Sequence, residues 1–256
     1  MKKIFLTSIA TLFILVGCFS FSSDKKVDSK TLSVNGSKGF VLIELYTSEG
    51  CSSCPSADQL LKQIREEYKG KQVYVLAYHV DYWNRLGWKD KFSDHRFSER
   101  QSAYANNFRS SSVYTPQAVV NGKDEMVGSA TGQLKNAINK YLNKSSEIEF
   151  VAKVGNIGSS SMKVNFDLPA EAKNKNLIVN LVQKDVITNV KAGENGGRLL
   201  PHANVVRAYQ SILVEGNQKL VTIELPEGFK KEDYELISFV QDKNQGTVLG
   251  VLEIKL

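Results

Sequence analysis

The sequence predicts an α/β fold with a helical insertion, followed by an all-β, sandwich-like C-terminal domain. Residues 40–50 and 72–80 are apolar and β-branched, and residues 56–70 between them have helical spacing. Strand, helix and strand in this order form a βαβ unit with a right-handed crossover. From residue 147 to the end, short alternating runs are separated by Gly, Asn, Pro and charged residues, which predicts a β-sandwich.

The residues after the βαβ unit add a helical insertion, a hairpin and a last helix. An aromatic-rich loop precedes a predicted helix over 93–108, with Ser93 or Asp94 as its N-cap. Asn121-Gly122 between two apolar runs is a strong hairpin signal. An amphipathic helix is predicted over 130–144. The expected domain organisation is a signal peptide over 1–17, a lipidated tether over 18–38, an α/β domain over 39–145 and a β domain over 146–256.

The N-terminus has the features of an export signal. Lys2 and Lys3 precede the apolar run 4–16, which is too short to span a bilayer comfortably. The sequence "LVGC" at 15–18 resembles a bacterial lipobox, and this resemblance implies cleavage before Cys18 and a lipid anchor on it. The alternative is an ordinary cysteine within a cleaved signal. Phe19, rather than Asp, follows Cys18, and by resemblance to enterobacterial sorting this favours the periplasmic side of the outer membrane.

The charge of the exported chain is only mildly basic. Loss of residues 1–17 removes two lysines, so Lys plus Arg falls from 33 to 31 against 27 acidic residues, which leaves a net charge of +4. No dense basic block is present. We therefore expect no nucleic acid partner.

The sequence has three cysteines, and a lipidated Cys18 would leave Cys51 and Cys54 as a pair. A disulfide between them closes a very small loop and so stabilises little through chain entropy. A secreted chain of this size whose only pair is CxxC does not use it as a scaffold. The pair is therefore a candidate for redox chemistry or metal binding.

The order of motifs resembles the thioredoxin fold over residues 40–143. The features are Cys51-Ser-Ser-Cys54 at a helix start, Thr115-Pro116 at the opening of a later strand, and the "VVNG" hairpin after it. The stretches "ELYTSEGCSSCPSAD", "HVDYWNRLGWKD", "VYTPQAVVNG" and "ENGGRLLPHANVVRA" are similar to a bacterial family of exported thioredoxin-like proteins labelled domain of unknown function 1223. That resemblance implies a fold and leaves the substrate open.

The position of the cysteines predicts their chemistry. A helix N-terminus stabilises a thiolate, so Cys51 is the predicted exposed nucleophile with a lowered pKa. Cys54, one turn deeper, is the predicted resolving thiol. By resemblance, Glu44 is the buried acid that accepts the Cys54 proton; the alternative is a Glu at the edge of the core. The same resemblance makes Thr115–Pro116 a cis bond that faces the substrate, against a trans Pro at a strand start.

His79 ends the second strand, at the edge of the sheet where the CxxC motif also lies. It could assist proton transfer, bind Cu(I) or Zn together with Cys51 and Cys54, or serve only as a structural hydrogen-bond partner. The aromatic residues Tyr82, Trp83 and Trp88 are either a rim for peptide substrates or the core of the insertion. The Arg- and His-containing stretch near residue 200 is assigned no site.

The predicted function is an exported, membrane-tethered thiol–disulfide oxidoreductase without a cofactor. Its predicted partners are protein thiols and disulfides, a further redox protein, and a membrane through the lipid anchor. One alternative is a Cu(I) or Zn carrier or metal-site assembly factor. The other is a non-catalytic protein-binding module. The sequence leaves open whether substrates are reduced, oxidised or isomerised.

Overall fold

The computed structural model describes the backbone of residues 31–33 and all of residues 39–256. Cys18 and the predicted signal peptide lie outside these residues. The helices are α1 (Cys54–Glu67), α2 (His95–Phe108) and α3 (Thr131–Leu142). The strands are β1 (Thr31–Ser33), β2 (Val41–Thr47), β3 (Val73–His79), β4 (Gln117–Val120), β5 (Asp124–Val127), β6 (Val151–Ile157), β7 (Ser161–Asp167), β8 (Asn176–Asn189), β9 (Leu199–Leu213), β10 (Gln218–Glu224), β11 (Tyr234–Gln241) and β12 (Val248–Lys255).

The local elements of the N-terminal half lie where the sequence predicts them. Strands β2 and β3 are parallel and are connected through α1. Asp94 caps α2, and its side chain accepts a hydrogen bond from the Arg96 N–H. Asn121 and Gly122 both have positive φ in the turn between β4 and β5, as the Asn-Gly signal requires.

Side chains of β2 and β3 alternate between two cores. Val41, Ile43 and Leu45 pack with the apolar side of α1 and with α3. Leu42 and Tyr46 point to the other face and pack with α2 and with strands from the C-terminal half. This alternation follows from the period of two in a strand, and it decides which polar side chains can meet the CxxC motif.

The C-terminal half contributes to both sheets of the described chain. One sheet has the strand order β1-β6-β7-β10. The other has eight strands in the order β12-β11-β8-β9-β3-β2-β4-β5. The smaller sheet packs on the β8, β11 and β12 end of the larger one around a core that includes Phe166, Leu181 and Leu236.

The predicted fold class is therefore wrong. The protein is mostly β, with three helices in the described residues and one large mixed sheet, rather than an α/β thioredoxin-like domain followed by a separate sandwich. The joining element is β9, which pairs antiparallel with β8 and parallel with β3 at Ala77 and Val205. The sequence pattern did not predict this strand. The domain division at residues 145 and 146 falls in the segment between α3 and β6 and stays a prediction.

Candidate functional site

The CxxC motif forms a disulfide at the start of α1. Cys51 and Cys54 are bonded through their sulfurs, with their Cα atoms 5.4 Å apart. The Cys54 N–H donates to the Cys51 carbonyl, and Pro55 occupies the first turn of the helix, where its missing N–H leaves no intrahelical bond unmade. Both cysteines have 0% exposure, whereas Ser52 and Ser53 are exposed. The expected exposure of Cys51 is therefore not seen in this disulfide form.

The loop 190–198, which joins β8 to β9, covers the motif; we call it the clasp. The buried side-chain amide of Asn195 donates to the carbonyls of Glu49 and Cys51, both at 2.9 Å. The Ser52 N–H donates to a Glu194 carboxylate oxygen at 2.9 Å, and hydrogen bonding to Ser52 lowers the pKa of Glu194. Arg198 donates in turn to the Asn195 side-chain oxygen at 2.6 Å. The clasp thus holds the backbone on both sides of Cys51.

The Thr115–Pro116 segment lies on another side of the motif. Its peptide bond is cis, as predicted. A Cβ placed on Gly128 would lie 3.1 Å from Pro116 Cβ and 3.2 Å from Ala57 Cβ, so Pro116 and the first turn of α1 flank the same glycine. The Trp83 indole N–H donates to the Thr115 hydroxyl at 2.8 Å, and Trp83 also packs beside Gly50. Trp83 therefore links the loop before Cys51 to the cis bond.

Five buried ionisable side chains lie next to the CxxC motif, and we call them the buried cluster. His79 Nδ1 is 2.7 Å from an Asp90 carboxylate oxygen. His202 Nδ1 is 3.5 Å from Asp58 Oδ2, and His202 Nε2 is 3.7 Å from Glu49 Oε1. The two imidazole rings meet edge to face with centroids 5.0 Å apart. The cluster thus combines three carboxyl groups and two imidazoles, all at most 2% exposed.

Hydrogen bonding within the buried cluster is uneven. Burial alone would lower the pKa of His79, but Asp90, then Asp58 and Glu49, raise it above its ordinary value. Burial alone would raise the pKa of Asp90, but His79 and two backbone N–H groups hold it low. Within residues 39–256, several cluster atoms have no hydrogen-bond partner in the protein: Glu49 Oε1, Asp58 Oδ1, His79 Nε2, and both ring nitrogens of His202.

Glu44 does not lie with the cysteines, which corrects its predicted role. It points to the α2 face of β2, where Oε2 accepts from Arg100 at 2.6 Å and Oε1 accepts from the Tyr104 hydroxyl at 2.5 Å. Thr47, three residues on and therefore on the opposite face, is the β2 residue that contacts the buried cluster: its hydroxyl donates to Asp58 at 3.2 Å. The Glu44 carboxylate is therefore not positioned to accept the Cys54 proton.

The three residues considered as metal ligands, Cys51, Cys54 and His79, are not arranged as a metal site in the structure described. Cys51 and Cys54 are bonded to each other, and one nitrogen of His79 is taken by Asp90. Across the part of the chain that the structure describes, no three or more His, Cys, Asp or Glu side chains form a group that could hold a metal ion. The set Cys51, Cys54 and His79 is therefore not gathered into a ligand site.

Two of the aromatic residues predicted to form a rim or the core of the insertion lie beside the site. Trp83 and Trp88 are half-buried and hydrogen-bonded beside the site, the latter to Glu49 at 2.7 Å, so they are part of its wall. Sequence reasoning assigned no role to Glu49, Asp58, Asp90 or His202 of the buried cluster, nor to the clasp residues Glu194 and Asn195. One signal was available: Asp58 follows Cys54 by four residues on a predicted helix, which places both on one face.

Comparison with known proteins supplies a family and a fold. No curated protein sequence matches the chain. A crystal structure of a protein from Agrobacterium tumefaciens is 24% identical, with a TM-score of 0.61, and the match covers 84% of this chain and 93% of that one. A domain of the outer membrane lipoprotein Omp28 from Porphyromonas gingivalis is 20% identical, with a TM-score of 0.28, over 43% of this chain and 88% of that one.

The first structure is similar in fold, and the second is too distant to carry an argument. In the described part of the chain, no helix has the length and apolar character needed to cross a bilayer. The model of the family described as protein of unknown function (DUF1223) matches residues 42–241, a range that holds the CxxC motif, the cis bond, the buried cluster and the clasp. The chain therefore belongs to the DUF1223 family.

Proposed function

We propose that this chain is an exported thiol–disulfide oxidoreductase in which Cys51 is the nucleophile and Cys54 the resolving thiol. The observation that carries the proposal is the Cys51–Cys54 disulfide at the N-terminus of α1. Free N–H groups and the positive end of the helix dipole favour a thiolate at this position. The small loop that this bond closes gives it little value as a structural crosslink.

The exchange reaction proceeds in two steps. In the direction that reduces a partner, the Cys51 thiolate attacks a partner disulfide, one partner sulfur leaves as a thiolate, and a mixed disulfide forms. Cys54 then loses its proton and attacks Cys51, which releases the second partner thiolate and restores the Cys51–Cys54 bond. The protein gives up two electrons and the partner gains them. The reverse sequence oxidises a partner dithiol.

The proposed exchange requires that a partner sulfur reach the buried disulfide. Because Cys51 has 0% exposure and the clasp holds its carbonyl, a partner reaches the sulfur only when the clasp moves. Trp83, which donates to the Thr115 hydroxyl and packs beside Gly50, also lies next to the loop before Cys51. We therefore expect exchange to be slower than at an exposed CxxC disulfide, for small thiols and protein partners alike.

The test compares cysteine variants in the full chain, with Cys18→Ser in every sample so that only the pair reacts. We expect the parent to catalyse either insulin reduction by dithiothreitol or oxidation of reduced, unfolded ribonuclease. Cys51→Ser should abolish exchange, and Cys54→Ser should accumulate a mixed disulfide with a partner. The proposal fails if the parent is inactive in both assays or if Cys51→Ser retains the parent rate.

A second candidate function is a non-catalytic binding module in which the disulfide is structural. The complete burial of both cysteines favours it. Removal of the disulfide separates the two proposals. In a structural role, the Cys51→Ser, Cys54→Ser double variant should lose cooperative unfolding or several degrees of melting temperature; in the catalytic role, it should stay folded and lose only exchange.

Anchoring through Cys18 is a separate part of the proposal. It rests on the "LVGC" sequence that ends the export signal, and it places the protein in the cell envelope, attached to a membrane by lipid. Protein thiols and disulfides of that compartment are the proposed partners. Intact mass measurement of the native protein tests this: a lipid-modified Cys18 as first residue supports it, and an unmodified N-terminus elsewhere contradicts it.

A further inference from the structure

Asp58 is a buried carboxylate on the same helix face as Cys54. The two residues are four positions apart on α1, so their Cβ atoms lie about 5–6 Å from each other. Asp58 is 2% exposed, and Oδ2 accepts from the Thr47 hydroxyl at 3.2 Å. Oδ1 has no hydrogen-bond partner in residues 39–256.

An incompletely bonded carboxyl group at this depth is costly to the fold. A buried polar group that lacks its hydrogen bonds destabilises the folded state, and more so if it is charged. We therefore expect Asp58 to have a role that needs an unbonded carboxylate oxygen, which an apolar or fully hydrogen-bonded side chain lacks. Proton uptake and release is such a role, because it needs a carboxyl group with a free oxygen.

The surroundings of Asp58 can accommodate a change in its protonation. The ionisable groups that face it from every packed element are His202 on β9, His79 on β3, and Glu49 and Asp90 from the loops after β2 and β3. His202 lies between Asp58 and Glu49 and uses neither of its nitrogens in a hydrogen bond. When Asp58 gains a proton, the nearby residues His202 and Glu49 therefore have unbonded nitrogen and oxygen atoms that can exchange hydrogen bonds or the proton with it.

We propose that Asp58 accepts the proton of the Cys54 thiol when Cys54 attacks the mixed disulfide on Cys51, a role that rests on the proposed exchange function. The Cys54 S–H bond breaks, the proton moves to the Asp58 carboxylate, and the new thiolate forms the Cys51–Cys54 bond while the partner sulfur leaves with the electron pair. In the reverse direction, the protonated Asp58 returns the proton to Cys54 as it departs.

A purely electrostatic influence of Asp58 would have the opposite sign. A nearby negative charge disfavours the Cys54 thiolate, so removing that charge would favour the thiolate and speed the second step. Removing a proton acceptor slows the same step. The direction of the rate change in Asp58→Asn therefore separates the two roles.

The experiment uses the full chain with Cys18→Ser, reduced and then mixed with dithiobis-nitrobenzoate, an aromatic disulfide whose released thiolate is coloured. The first released thiolate reports attack by Cys51, and the second reports attack by Cys54. In Asp58→Asn, we expect an unchanged first phase and a second phase slowed about 10- to 100-fold near neutral pH. The two proteins should converge at alkaline pH, where hydroxide removes the proton.

Glu67→Gln is the matched control, because it neutralises a carboxylate on the same helix whose side chain is 48% exposed. It should leave both phases unchanged. If Asp58→Asn does not fold, the parent in deuterium oxide decides instead: a normal solvent isotope effect on the second phase, larger than on the first, supports the transfer, and equal effects overturn it.

The outcomes distinguish the two proposals. Absence of a first phase in the parent contradicts the exchange function itself. A normal first phase with a second phase in Asp58→Asn that is as fast as or faster than the parent leaves the exchange function standing and overturns the role of Asp58.

Discussion

Two clusters of buried charge lie on opposite faces of the same strand, β2, and they differ in how completely they are bonded. On the α2 face, Glu44 binds Arg100 and Tyr104, and Gln241 on β11 donates to the Tyr104 hydroxyl, so both carboxylate oxygens have close donors. On the α1 face, the buried cluster leaves oxygens of Glu49 and Asp58 and three imidazole nitrogens unbonded within residues 39–256.

This difference in hydrogen bonding indicates that the two clusters have different roles. A fully bonded ion pair fixes the position of α2 against β2 and β11, and its partners have no capacity left for a changing ligand or proton. An incompletely bonded set next to the only described pair of cysteines costs stability and keeps that capacity. We therefore assign structural work to the α2 face and proton chemistry to the α1 face.

The largest expected effect comes from breaking the pair on the α2 face. Arg100→Met leaves Glu44 buried without its cation, and we expect the free energy of unfolding to fall by about 3–5 kcal/mol in urea titration of the disulfide form. Arg96→Met on the same helix is the control, since its pair with Asp94 is largely exposed and should contribute about 1 kcal/mol or less. Equal losses in the two variants would contradict the structural role.

The next largest effect is expected at the clasp. Asn195→Ala removes the two hydrogen bonds that hold the clasp to the motif, to the carbonyls of Glu49 and Cys51, each worth about 1 kcal/mol, together with the bond that Asn195 accepts from Arg198 within the clasp. The open state of the clasp should then be about 10- to 30-fold more populated, and the rate of reduction of the disulfide by dithiothreitol should rise by the same factor. Asn189→Ala, an exposed asparagine at the end of β8, should leave the rate unchanged. Unchanged reduction in Asn195→Ala would mean that the clasp does not control access.

The titration of His79 should give the free energy of unfolding a pH dependence of intermediate size. Its pKa is raised in the folded protein above the ordinary value of 6.5. A raised pKa means that the folded state binds the proton more tightly, so this stabilisation is complete below about pH 6.5 and is lost as the pH rises through the folded pKa. Within that window, stability should decline by up to about 1.4 kcal/mol per pH unit.

The measurement is the free energy of unfolding of the disulfide form from pH 6 upward, in the parent and in His79→Gln. The variant should show a smaller decline, because Glu235, whose pKa burial raises to about 7, also titrates in this range. His95→Gln is the matched control, because His95 is exposed on α2 and its ion pairs lie in water. A parent curve that stays flat across this range would show that the carboxylates of the buried cluster do not hold a proton on His79.

The sequence predicted the local structure well and the long-range pairing poorly. The hairpin turn at Asn121-Gly122 and the cap at Asp94 depend on neighbouring residues, and both were found. Strand β9 was missed because Pro201, Asn204 and Arg207 interrupt its apolar pattern, and Asn204 has a positive φ of 53° within it. Only pairing with β8 and β3 holds this segment extended, and such pairing has no local signature.

The absence of a local signal for long-range pairing also explains which site residues were predicted wrongly or missed. Glu44 was predicted beside the cysteines by resemblance, but adjacent positions in a strand point to opposite faces, and Glu44 lies on the face that contacts α2. His202 and Asn195 reach the site only because β9 returns to β3, some 150 residues along the chain from Cys51 in the case of His202. Of the site residues that sequence reasoning missed, Asp58 alone was within its reach, since helical spacing relates it to Cys54.

The smallest expected effect comes from comparing substitutions at Tyr46 and Thr47, adjacent residues of β2 whose side chains point to opposite faces. Tyr46→Phe removes a hydroxyl whose bond to Glu44 is long, at 3.5 Å, and Glu44 keeps Arg100 and Tyr104, so the free energy of unfolding should change by less than about 0.5 kcal/mol. Thr47→Val is nearly isosteric but removes the donor to Asp58 Oδ2 at 3.2 Å, and in residues 39–256 His202 Nδ1, 3.5 Å from that oxygen, makes no hydrogen bond to it. We expect a loss of about 1 kcal/mol or slightly more, because an already incompletely bonded carboxyl group loses a further partner. Urea titration of both variants in the disulfide form resolves this difference, and a larger loss in Tyr46→Phe than in Thr47→Val would reverse the assignment of the two faces.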